Sequence, residues 1–226
     1  MSPIRPWLTP VALLLLGSIS VAFGIIQSYL MLQPVGSDGN SGAESHYLAM
    51  PAPIVLHIIA GSIFNLLMPL QFAKPVHHRW PAFHKSLGKI LALCVVSFGL
   101  SGLWMNHFYP QYGGVGKYVG VMAQSILLLC YLILSLYNIR RGRIDQHRAW
   151  MVRMVAAALA PATQRLIVVP SVVIFGDNWL TDSAIALVIW VGLLVNLLVA
   201  ERILAGERSL KSALKFSGAP KRAELH

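Results

Sequence analysis

Six apolar stretches, each close to the roughly 20 residues that carry a helix across the hydrocarbon core of a bilayer, leave this chain little choice of fold. They fall near residues 8–32, 51–73, 86–106, 117–138, 149–174 and 182–204. Of 226 residues, 56% are hydrophobic and 12% charged, and the mean hydropathy is +0.65. A soluble domain cannot enclose that much apolar surface, so lipid must cover the remainder. The expected fold is all-α. It is a single integral membrane domain over residues 1–226, with six transmembrane helices and a core made by spans two to five. The first stretch exceeds the length of a signal-peptide apolar region and is read as a retained helix.

The net charge of +10 does not point to nucleic acid, because the basic residues sit in short runs between apolar stretches and form no basic face on a soluble module. Their placement instead sets an orientation. Lys74, Arg79, Lys85 and Lys89 flank the second connection, and Arg140, Arg141, Arg143 and Arg148 flank the fourth. Arg202, Arg208, Lys211, Lys215, Lys221 and Arg222 follow the last stretch. The alternate connections carry Asp38, Glu44, Asp177 and Asp182, with Lys117 as the basic residue near that side. Basic connections stay in the cytoplasm. The expectation is a multi-pass protein of the plasma membrane with both termini cytoplasmic. Cys94 and Cys130 lie inside apolar runs, as buried free thiols do.

Function is sought among polar side chains within the membrane, where each is costly and tends to face a bundle interior or a cavity. His57, Gln124 and Arg165 fall at similar depth. At 1.5 Å per residue, His57 lies about 9 Å and Gln124 about 10 Å from the outer edge, with Arg165 about 24 Å from the inner edge of a roughly 30 Å core. A second layer joins His84 and His147 at the cytoplasmic entries of spans three and five, with Arg153 about one and a half turns deeper. Helical spacing places Gly61, Met68 and Gln71 on the stripe of His57, and Gly88, Gly102 and Asn106 on that of His84. The first and last spans offer little beyond Gln27, Ser28 and Asn196, and are expected to pack outside the core.

Each candidate also has a structural explanation. His84 and His147 suit an interface beside Arg79 and Arg148, Arg153 can snorkel, and His57 can bond a neighbouring helix. His46 and His107 near the outer surface are a further pair. The G-x-S-x-G, Walker, H-E-x-x-H and C-x-x-C patterns are all absent from the chain.

His57 with Gly61, then Pro69, Gln71 and Phe72, the basic loop to His84 and Gly88, and the run Asp145-Gln146-His147-Arg148-Ala149-Trp150-Met151-Val152-Arg153 with Arg165 downstream resemble the DUF2306 group of predicted multi-pass membrane proteins. The resemblance covers roughly residues 50 to 170 and implies a membrane protein without implying a chemistry. In architecture, six spans with histidines on a four-helix core are similar to cytochrome b reductases, which hold two haems by histidine pairs. That likeness implies His84 and His147 as axial ligands of a haem iron. It offers Gln124 where His57 would need a partner histidine.

The expected function is a membrane redox protein that binds haem b or a quinone-like ligand within the bundle. His57, His84, His147, Gln124, Arg153 and Arg165 are its candidate cofactor-binding residues. The alternatives are a non-haem enzyme or carrier in which His57 and Arg165 hold a small anionic or lipid-like substrate, and a structural or assembly subunit. The lipid bilayer is the expected surrounding, and a small hydrophobic molecule the expected ligand.

Overall fold

A computed structural model describes residues 7–33, 45–110 and 112–216, and all of its regular structure is helical. The helices are α1 (Leu8–Leu32), α2 (Ser45–Ala49), α3 (Ala52–Gln71), α4 (Lys74–Arg79), α5 (Pro81–Phe108), α6 (Gly114–Arg140), α7 (Ile144–Phe175) and α8 (Asp182–Phe216). Helices α1, α3, α5, α6, α7 and, as far as Ser209, α8 are long and apolar enough to cross a membrane. These are the six spans the sequence predicts. Asp38 and Glu44 in the first connection, and the tail beyond Phe216, lie outside the described residues.

Helices α5, α6 and α7 run past the apolar stretches that announce them. The apolar pattern marks only the part of a helix that lipid covers, whereas the backbone stays helical until a residue stops it. Pro81 begins α5 in the first turn, where its missing N–H costs no helical hydrogen bond. Gly142 after α6 and Gly176 after α7 have φ of 70° and 77°, the left-handed region that closes helices and that other residues adopt at a cost. Between the spans, the Tyr109 hydroxyl donates to the Met50 carbonyl at 2.7 Å, and burial pushes its pKa upward.

Neighbours pack in the order α3 on α5, α5 on α6 and α6 on α7, while α8 lies outside against α6 and α7. Helix α1 closes the remaining gap between α3 and α7. It is peripheral by burial, since Pro10 and Gly17 are its buried residues. One of its faces nevertheless completes a ring of five helices, a part the sequence did not predict for it. Gly17 makes this possible: a Cβ there would stand 3.0 Å from Asn65 Oδ1 and 3.1 Å from the Asn65 carbonyl. The two backbones touch at this point. Pro69 lacks the N–H that would otherwise bond that carbonyl.

The apolar core fills the middle of the ring and the end that bears α4 and Arg140–Arg143, here the basic end. Phe64, Met68 and Met154 are each 1% exposed within it, and Leu87, Leu91, Cys94, Leu128 and Leu132 complete it. The outer surface is equally apolar: Leu15, Leu93, Ile133, Val173 and Leu198 all face outward. Lipid is the surrounding such a surface requires.

Candidate functional site

Towards the end that bears α2 the ring is not filled. A cavity of about 380 Å³ lies between α1, α3, α5, α6 and α7, within the range of about 300–1,000 Å³ usual for small-molecule sites. Phe23, Ile54, Ile58, Phe98 and Leu128 give it apolar walls, and His57, Gln124 and Arg165 all line it. The three residues of the layer read from helical rise therefore line one cavity.

Each polar side chain is fixed differently. His57 Nδ1 lies 3.2 Å from Ser101 Oγ, and the ring stands edge-on to Phe98 with centroids 6.1 Å apart. Gly102 makes room for it, since a Cβ there would come 3.4 Å from His57 Cε1. Gln124 bridges helices: its Nε2 reaches the Ala157 carbonyl at 3.4 Å, and its Oε1 accepts from Gln164 Nε2 at 3.1 Å. Ala157 precedes Pro161 by four residues, and proline has no N–H to return, so the carbonyl is available to Gln124.

Arg165 donates through an η nitrogen to the Pro161 carbonyl at 3.1 Å, and its guanidinium lies 4.7 Å from the centre of the Phe23 ring. Among the described residues no carboxylate pairs with it. It lines the same cavity as His57. The site thus offers a cation with unused donors, an imidazole lining the same cavity and apolar walls around them. Such a set can hold an acceptor oxygen or an anionic head group whose hydrophobic body lies in the chamber.

The second predicted layer does not gather in the same way. His147 Nδ1 lies 2.7 Å from Ser135 Oγ and 3.0 Å from the Ser135 carbonyl, while the His84 carbonyl accepts from Gln71 Nε2 at 3.1 Å. Neither histidine lines the cavity. The space between their helices is taken by Met68, Leu87, Leu91, Leu132 and Met154, all buried in one packed cluster. A macrocycle would have to displace that cluster, so the residues present do not fit a haem held by His84 and His147. Among the described residues no three His, Cys, Asp or Glu side chains gather as a metal site. His46 packs on Tyr47 and Tyr109, and His107 Nδ1 lies 3.0 Å from the Tyr118 hydroxyl.

Arg153 stands apart from the cavity for an electrostatic reason. Its guanidinium pairs with Glu201 of α8 through two bonds, of 2.5 and 3.0 Å, and lies over the Trp150 ring. One turn closer to the end of the helix, Arg148 pairs with Glu207. These pairs fasten α8 to α7, and Glu201 is the partner that sequence reasoning passed over.

Other lining residues were also missed. Ser20, Gly24 and Gln27 of α1, with Ser62 and Asn65 of α3, face the cavity. The spacing of Gly17, Ser20, Gly24 and Gln27, at intervals of three and four, marks one helix face and is the signal that identifies it. It is easily overlooked because none of the four is ionisable.

No curated protein and no solved structure matches the chain. A family model described as a predicted membrane protein, DUF2306, matches residues 54–204. That stretch carries His57, Gln124 and Arg165 and covers well over half of the sequence, and the chain belongs to the DUF2306 family of predicted membrane proteins.

Proposed function

We propose that this protein binds a small hydrophobic molecule with an acceptor or anionic oxygen head, as a membrane-embedded enzyme or carrier. Arg165 and His57 hold the head and the apolar walls of the cavity hold the body. The observation that carries the reading is an arginine inside the ring, without a carboxylate partner among the described residues, lining a chamber of ligand size. An arginine in the hydrocarbon region costs about 2.5–3.5 kcal/mol even on the lenient insertion scale, a cost that binding explains. Carboxylate lipids and quinone-like molecules both present the required oxygen. In the same reading the basic end faces the cytoplasm, so the cavity belongs to the outer half of the membrane. The reading is tested by titrating detergent-purified protein with decanoate and with a decyl-substituted quinone. At least one should bind to the wild type and lose most of its affinity in Arg165→Leu, while the variant keeps its melting temperature.

A further inference from the structure

The partners of His57 specify what its free nitrogen does. Ser101 has one hydroxyl proton, and its Oγ donates that proton to the Phe98 carbonyl at 3.2 Å. The oxygen facing His57 Nδ1 at 3.2 Å is therefore left as an acceptor. An acceptor at that position places the proton on Nδ1. In the neutral ring Nε2 is then the unprotonated nitrogen. It has no protein partner among the described residues and is not sealed from the cavity that His57 lines. Arg165, a cation, lines the same cavity.

The cavity wall one helical turn from His57 has been left open. Gly61, one turn along α3 from His57, would carry a Cβ with nothing within 4 Å, and it lines the same chamber. A glycine within a helix is destabilising relative to alanine, and here no close packing requires it. The free volume lies where the body of a ligand would rest if its head stood between His57 and Arg165.

We propose that the site selects a hydroxyl-bearing head group of the phenol type. The hydroxyl donates its proton to His57 Nε2, its oxygen accepts from Arg165, and its ring lies over Gly61. This inference rests on the binding reading above and narrows it. A head with acceptor oxygens alone, such as an oxidised quinone, satisfies Arg165 but leaves two acceptors facing each other at His57.

The test titrates the detergent-purified full chain with para-hexylphenol and with its methyl ether, which keeps the oxygen but has no proton to give. A ring-methylated para-hexylphenol of equal bulk is the size control. Both phenols should bind to the wild type about tenfold more tightly than the ether, the effect of one buried hydrogen bond. That preference should vanish in His57→Leu. Equal binding of all three to the wild type, with affinity still lost in Arg165→Leu, overturns this inference and leaves the acceptor-head reading standing. A control that binds as weakly as the ether also overturns it, because bulk is then the cause. A preference that survives in folded His57→Leu overturns the assignment to His57. Failure of all three to bind to the wild type overturns this inference, and the binding reading falls with it only if decanoate and the decyl quinone fail to bind as well.

Discussion

Gln124 reaches across from α6 to the carbonyl of Ala157, at 3.4 Å, in the place where Pro161 denies α7 its own donor. A proline in α7 has thus been compensated by an amide from another helix. The same amide oxygen accepts from Gln164, which also donates to the Ile189 carbonyl of α8 at 3.3 Å. Gln124, together with Gln164, links α6, α7 and α8 beside the cavity.

Removing it should be costly. Gln124→Leu leaves a buried carbonyl and the Gln164 amide short of partners, and should lower stability by about 1–3 kcal/mol. Pro161→Ala supplies the missing N–H, so the cost of Gln124→Leu should be smaller in that background. Thermal unfolding in detergent of the four proteins of this cycle measures the difference. Equal costs in both backgrounds would contradict the compensation.

The α7–α8 fastening makes a separate prediction. Glu201→Ala leaves the Arg153 charge without its carboxylate and should destabilise the protein by about 1–3 kcal/mol, in the range of hydrogen bonds to charged groups. Replacing both residues with leucine should recover most of that loss, because an apolar pair removes the stranded charge. Melting temperatures of the single and double variants check this, and ligand binding should be unaffected in all of them.

Much of this arrangement is legible in the sequence. The six spans follow from apolar runs, and the level shared by His57, Gln124 and Arg165 follows from helical rise alone, since depth depends on count and not on contacts. Azimuth and neighbour choice are less accessible. His84 and His147 share a depth as well, but Met68, Leu91 and Met154 fill the space between their helices, and no periodicity announces which helices will be separated. Arg153 reads as a candidate for binding until Glu201 is found opposite it on another helix. The sequence places helix α1 outside because it offers little beyond Gln27 and Ser28, whereas its contribution is made by Gly17 and Gly24, through what they leave out.

Gly61 separates packing from ligand space. Its Cβ would meet nothing within 4 Å, so Gly61→Ala should hold or raise stability, by up to about 1 kcal/mol. Gly61→Leu would project into the cavity and should reduce binding of every cavity ligand while the protein remains folded. Unfolding and binding assays on both variants test this, and undiminished binding in Gly61→Leu would move the ligand elsewhere.

The orientation rests on the basic connections. Reporter fusions placed after Arg143 should report the cytoplasm, and fusions after Asp38 the opposite side. A reversed pattern would turn the cavity to the inner half of the membrane.

In the proposed reading Arg165 holds the head of the ligand. The most direct test of this measures melting temperature and binding of decanoate or the decyl quinone on the same preparations of wild-type and Arg165→Leu protein. Arg165→Leu protein should melt no lower than wild type and bind at least tenfold more weakly, with Arg165→Lys between the two because an ammonium lacks the planar fork. Wild-type affinity in a stable Arg165→Leu protein would contradict that reading.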